Sequence, residues 1–238
     1  MKIAIFGSQG FVGQELVKIF KQEPGPYVEE ITRENYNFSD YLKTFEFDYI
    51  INAACPSKRF EAQKHPQWDF NETVLKTSKI YNSFNFKKFI QISSVSARSQ
   101  PNIIYGNHRQ LAENIVDKDK HLIIRLGPLF GKNNNKGALF DILNNKKVYV
   151  DKNSQYSYIN VEKAANLIKE NINKTGIIEI GAKNSISLDE IAQYVDSNSE
   201  FGGCLDNQII ENPGPDYPDV SEVLGFIDER KDDKVRKS

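Results

Sequence analysis

Short apolar runs recur along the first half of the chain, and between them the apolar residues return at three- and four-residue intervals with polar residues elsewhere. Ile3 to Phe6, Val28 to Thr32, Tyr49 to Asn52, Phe89 to Ser93 and His121 to Arg125 read as strands. Val12 to Lys21, a short stretch near Asp40 to Thr44, Pro66 to Phe84 and Tyr105 to Val116 read as helices. Strands that are apolar throughout are buried on both faces, so the alternation predicts a parallel sheet covered by helices on both sides. The expected fold class is α/β, a Rossmann-type doubly wound parallel sheet with a small C-terminal lobe.

After Gly131 the pattern changes. Lys132-Asn-Asn-Asn-Lys136 is a polar break, and the later apolar runs are shorter. Gly137 to Leu143, Val161 to Asn171 and Leu188 to Val195 read as helices, Val148 to Val150 and Ile177 to Ile180 as strands, and Asn212 to Pro218 as a rigid loop. The expectation is one domain over 1–238: 1–131 carries the main sheet, 132–238 a smaller lobe, and the strand near 177–180 returns to the sheet. The tail from Asp228 to Ser238 is mostly charged and is expected to fray.

The first strand leads straight into Gly7-Ser-Gln-Gly10-Phe-Val-Gly13, and a helix follows. Strand, glycine turn and helix start together form a dinucleotide pyrophosphate cradle. The first glycine makes the tight turn, the second lets backbone approach the phosphates, and the third lets the helix pack against the strand. Unpaired amides at the helix start face the anion. Gly7, Ser8, Gln9, Gly10, Phe11, Val12 and Gly13 are thus the first candidate cofactor-binding residues, and 1–131 becomes the dinucleotide-binding part.

Composition narrows the partners. The 238 residues suffice for one substantial core, and 31 basic against 32 acidic residues leave a net charge of −1, with no polyanion-binding surface expected. Nucleic acid is therefore not an expected partner. Cys55 and Cys204 stand far apart without metal-ligand spacing, so neither a disulfide framework nor a metal site is expected. No run is long enough for a membrane span and no leader pattern is seen, so the expected location is cytoplasmic.

A second constellation carries chemistry: Phe89-Ile-Gln-Ile-Ser-Ser94, followed by Tyr105-Gly-Asn-His-Arg109 with Glu113 on the same predicted helix. Tyr105, Arg109 and Glu113 are four apart and share a face. A fixed cation one turn from a phenol stabilises the phenolate and suits that tyrosine to proton transfer. The three histidines share no spacing and receive no role, although His108 adjoins Arg109.

With these motifs the chain resembles the extended short-chain dehydrogenase/reductases, the NAD(P)-dependent sugar-nucleotide epimerases, dehydratases and reductases. The resemblance runs through the glycine turn, Asn52-Ala-Ala54, Asn71-x5-Thr77, Ser93-Ser94, the Tyr105 helix, Arg125-Leu-Gly-Pro128-x-x-Gly131, Tyr158-Ile-Asn-Val161 and Ser187-Leu-Asp-Glu-Ile191. Within the family the compact chain looks most like dTDP-4-dehydrorhamnose reductase-type enzymes. The resemblance implies Tyr105 as general acid or base, Ser94 as the hydroxyl on the reacting oxygen, Asn71 as a helper, and Arg109 in the place of the family lysine. It adds Asn52, Ala53, Ala54, Arg109 and Pro128 to the cofactor-binding set.

The implied activity is hydride transfer to a nucleotide sugar, foremost reduction of a 4-keto sugar nucleotide; an epimerase of the same family is the alternative. A non-catalytic dinucleotide-binding protein is the other, because arginine cannot release a proton as lysine can. Only ten residues separate Ser94 from Tyr105, which implies an open site or a different substrate. At the end of the second strand Arg33 favours NADP(H) and Glu34 favours NAD(H); NADP(H) is the preferred reading. The resemblance also implies a homodimer.

Overall fold

A computed structural model of the chain describes residues 1–22, 26–36 and 41–235. The first half contains β1 (Lys2–Phe6), α1 (Phe11–Lys21), β2 (Tyr27–Ile31), β3 (Glu46–Asn52), α2 (Arg59–Lys64), α3 (Pro66–Phe70), α4 (Lys76–Ser83), β4 (Asn85–Ser94), α5 (Ser96–Ser99), α6 (Ile104–Glu113) and β5 (Leu122–Leu126). The second half adds β6 (Leu129–Phe130), α7 (Ala138–Leu143), β7 (Gln155–Tyr156), β8 (Ile159–Asn160), α8 (Val161–Glu170), β9 (Gly176–Ile180), β10 (Ile186–Ser187), α9 (Leu188–Tyr194) and α10 (Glu222–Val235).

Six strands form one sheet in the order β2-β1-β3-β4-β5-β9, and the pairings from β2 through β5 are parallel. Ile3, Ala4, Ile5 and Phe6 of the central β1 are all buried, with no alternation, as a strand covered on both faces requires. The chain steps from β1 to β2 in one direction and then restarts on the other side of β1 with β3. Right-handed crossovers then send helices to opposite faces, and the carboxyl ends of β1 and β3 flank the crevice where such sheets bind ligands. The register puts Phe6 beside Asn52 at that crevice.

The chain divides into two units, residues 1–126 with 165–178 and residues 127–164 with 179–238. In the first, Phe6, Ile31, Phe47, Ile50, Ile80, Phe84, Phe89 and Ile123 make a continuous core on one side of the sheet. In the second, Phe130, Leu139, Ile142, Tyr158, Leu188, Ile191, Val223 and Ile227 pack together.

Several boundaries differ from the sequence expectations. The helix expected over Pro66 to Phe84 widens into a π turn at Asn71–Leu75. Val148 to Val150 forms no strand: Val148 makes an isolated bridge to Phe201, bounded by Asn145 at a positive φ of 51°. The stretch near Asp40 to Thr44 is a 3-10 turn at Tyr41–Thr44, and Asp40 lies outside the described residues. The largest correction is the tail. Instead of fraying from Asp228 it continues α10 to Val235, because Val223 and Ile227, one turn apart, are buried and Phe226 packs at a tilt on Phe130 with ring centroids 5.1 Å apart; residues 236–238 lie outside the described residues. The packed first half supports the charged second half of the helix.

Candidate functional site

The turn after β1 is built by its glycines. Gly7 adopts φ +77°, a left-handed conformation that disfavours a side chain, and a Cβ there would lie 2.7 Å from the Ala53 carbonyl oxygen. A Cβ on Gly13 would overlap the Gly7 carbonyl, so α1 could not approach the strand with any larger residue. Gly7 and Ser8 donate their amides to the Ile31 carbonyl at 2.8 and 3.3 Å, and Gly10 donates to Gly7 at 2.9 Å, which closes the turn onto the end of β2.

Gly10 caps α1 with no side-chain hydrogen bond, and no acidic residue lies in the first helical turn. The leading amides therefore keep their partial positive charge uncancelled, at the switch point of the sheet. Gln9 is exposed and its carbonyl accepts from Gln14 Nε2 at 2.7 Å, while Phe11 and Val12 are half-buried at the helix start. Ser8 is 2% exposed, and its hydroxyl has no protein partner. These features fit a pyrophosphate.

Beside the turn, Ala53 donates its amide to the Phe6 carbonyl at 2.9 Å. Asn52, named in the candidate cofactor set, faces inward: its Nδ2 donates to Gln91 at 2.9 Å and Thr77 at 3.1 Å, and its Oδ1 accepts from the Ala54 amide at 3.2 Å. Asn52 thus shapes the loop after β3, and Thr77 of the Asn71-x5-Thr77 motif is its partner on α4.

Tyr105 lies in the first turn of α6 and is 6% exposed. The guanidinium of Arg109, one turn on, sits 4.9 Å from the Tyr105 ring centroid and donates to the Pro56 carbonyl. Burial works against this charge, yet Tyr105, Cys55 and Asp69 around it hold Arg109 above the ordinary arginine value, so it remains a permanent cation. A second guanidinium, Arg59 of α2, stands 5.8 Å from the same ring and donates to Ser96 Oγ at 3.1 Å and to Gln100. Ser94 Oγ, at the end of β4, bonds Ser96 Oγ at 3.2 Å. Ser94, Tyr105 and Arg109 therefore share one contiguous polar network.

That helix is pinned from below and above. Glu113 is 1% exposed and accepts from Ser93 Oγ at 2.6 Å and from Arg125 Nη2 at 2.7 Å, tying α6 to β4 and β5. A Cβ on Gly106 would overlap the Gln100 carbonyl, which explains the glycine after Tyr105.

Asn71 is not brought into this network. It is exposed, at the first residue of the π turn, and its Oδ1 accepts from Gln67 at 3.1 Å. The buried side of the same segment carries Asp69, Thr73 and Thr77, and Asp69 Oδ2 lies 2.8 Å from His108 Nδ1. The four-residue spacing of those three polar residues is the signal that could have marked a buried polar stripe. Asp69, His108 and Arg59 are the site neighbours that sequence reasoning missed. Arg33 is exposed beyond β2, with Nη2 3.6 Å from Glu72 Oε2. Pro128 belongs to the second unit, where its carbonyl accepts from the Ile159 amide at 3.0 Å.

No protein-family model matches the chain, and no curated protein sequence matches it. Solved structures do. A dTDP-4-dehydrorhamnose reductase from Clostridium acetobutylicum superposes with a TM-score of 0.75 at 17% identity, covering 97% of this chain and 100% of that chain. The chain has the same fold. MoeE5 in complex with UDP-glucose and NAD matches with a TM-score of 0.72 at 15% identity, over 94% of this chain and 92% of that one. A Thermus thermophilus UDP-glucose 4-epimerase in complex with NAD matches at 0.67 and 13% identity, over 95% and 93%. All three share the Rossmann-like α/β architecture. Among the described residues, no helix is long and apolar enough to cross a membrane.

Proposed function

We propose that the chain is a member of the extended short-chain dehydrogenase/reductases, an NADP(H)- or NAD(H)-dependent oxidoreductase of nucleotide sugars whose foremost reaction is reduction of a 4-keto sugar nucleotide. The observation that carries this reading is the side-chain-free α1 start at the sheet's switch point, walled by Gly7, Gly13 and Ala53. Structural neighbours that are reductases and epimerases, some complexed with NAD and UDP sugars, support the substrate class. A bound nicotinamide dinucleotide supplies hydride chemistry.

The chain's own residues supply the rest. Ser94 Oγ would hold the ketone oxygen and Tyr105 Oη would deliver a proton to it. Arg109 keeps its proton at every working pH, so its part is to position the Tyr105 ring, not to relay. Arg33 favours NADP(H), and a homodimer in the cytoplasm completes the reading.

A second reading, dinucleotide binding without turnover, is favoured by the same Arg109: it is 4% exposed and committed to Pro56 and Tyr105. One experiment separates the two. Thermal-shift and turnover assays with NADPH or NADH and a panel of nucleotide-diphosphate 4-keto sugars are run on the wild type and Tyr105→Phe. The enzyme reading expects coenzyme stabilisation in both proteins, and reduction that falls by about a hundredfold or more in Tyr105→Phe. Coenzyme binding with no reduction in the wild type selects the non-catalytic reading.

A further inference from the structure

We infer that Glu72 governs the choice between the 2′-phosphorylated and the unphosphorylated coenzyme, by occupying the two cations a 2′-phosphate needs. The inference rests on the dinucleotide reading above and adds two residues, Glu72 and Lys76, that the glycine turn and the end of β2 do not reveal.

A single oxygen carries the observation. Glu72 Oε2 receives the Arg33 guanidinium at 3.6 Å and is also the ion-pair partner of Lys76, one turn further along its own helical segment. The Glu72 and Lys76 side chains are 23% and 20% exposed, so this pair is partly withdrawn from water, whereas Arg33 is 78% exposed and able to swing. Tyr36 lines the same spot: burial raises its hydroxyl above the ordinary tyrosine value, and Glu72 pushes in the same direction against Lys43.

The position is the ribose end of the cradle. Arg33 lies two residues past Ile31, whose carbonyl receives the Gly7 and Ser8 amides and so ties the end of β2 to the phosphate turn. In sheets of this topology the residues just past that strand meet the adenosine 2′ group.

Among the described residues, Glu72 is the carboxylate paired with both Arg33 and Lys76, and it offsets one of their two charges. A 2′-phosphate brings roughly two negative charges. It must draw Arg33 and Lys76 away from Glu72 and then sit beside a like charge; a 2′-hydroxyl does neither. Glu72 therefore restrains a preference that Arg33 and Lys76 would otherwise make strong. Removing its charge while keeping its shape frees both cations at once.

The test uses the full chain and equilibrium binding, with no turnover required. Dissociation constants for NADPH, NADH, 2′,5′-ADP and 5′-AMP are measured in the wild type, Glu72→Gln, Lys76→Gln and Arg33→Ala. Glu72→Gln is expected to tighten NADPH and 2′,5′-ADP by about fivefold relative to NADH and 5′-AMP, the size of a partly screened charge interaction. Lys76→Gln and Arg33→Ala are expected to weaken only the 2′-phosphorylated ligands. All these differences should shrink at about 1 M salt. Binding of both coenzymes with a ratio unchanged within twofold in Glu72→Gln overturns the inference alone. Failure of the wild type to bind either coenzyme overturns the functional reading, and this inference with it.

Discussion

Glu113→Ala is the sharpest probe of how the Tyr105 helix is held. The carboxylate is 1% exposed and accepts from Ser93 Oγ at 2.6 Å, from Arg125 Nε at 3.0 Å and from Arg125 Nη2 at 2.7 Å. Cutting one partner out of a buried ion pair costs about 3–5 kcal/mol, since the surviving charge stays desolvated. The orphaned Ser93 hydroxyl adds about 1 kcal/mol. The Arg125 side chain is 14% exposed, so water relieves part of its loss and the lower end applies, about 4 kcal/mol in all. For a chain of this size that lowers the thermal midpoint by about 8–16 °C. The double variant Glu113→Leu with Arg125→Met should lose less than half as much, because it removes both charges of the pair together. Thermal melts followed by circular dichroism make the comparison. A midpoint for Glu113→Ala within about 3 °C of wild type, or a double variant worse than the single one, would refute the reasoning.

Two further outcomes follow from packing and titration. Gly106→Ala should cost about 2–3 kcal/mol in urea unfolding, since its methyl would overlap the Gln100 carbonyl and stand 2.5 Å from that of Ser96; a neutral result would show that α5 yields freely. His121 Nδ1 accepts from the Phe89 amide at 3.3 Å, which requires the neutral ring, and burial holds it below the ordinary value of 6.5 despite Asp117. The unfolded chain then takes up the proton first. Its contribution to stability is complete above about pH 6.5 and is lost as pH falls toward the lower folded value. Denaturant midpoints at pH 7.5 and 5.5 should diverge less in His121→Phe than in wild type, and equal divergence would contradict the assignment.

The parallel sheet was legible because residues 3–6 of β1, 89–92 of β4 and 122–124 of β5 are largely apolar and buried, and the segments between them follow a helical period. The glycine turn was legible for a different reason, since Gly7 and Gly13 are each demanded by a close backbone contact. What the sequence hid depends on tertiary partners. From Asp228 onward every local window is charged, and only the burial of Val223 and Ile227 shows that the helix forms. Asn71 and Asp69 lie two residues apart, on opposite sides of one segment, and residue type alone pointed to the asparagine. The exposed side went to Asn71, and Asp69 went inside with His108. Arg59 gave no warning at all, because its place over Tyr105 depends on where the loop after β3 turns.

The account stands on dinucleotide binding at the α1 start, and Gly10→Val tests it most directly. Gly10 has φ −72° and ψ 165°, backbone that valine adopts readily, and a Cβ there would meet only the Gly7 carbonyl oxygen, at 3.1 Å. The fold should survive while the branched side chain occupies the approach to the phosphates. In fluorescence titrations with NADPH and NADH the account predicts saturable binding to the wild type and its loss in Gly10→Val, with circular dichroism unchanged. Equal binding by the two proteins, or none by the wild type, would contradict it.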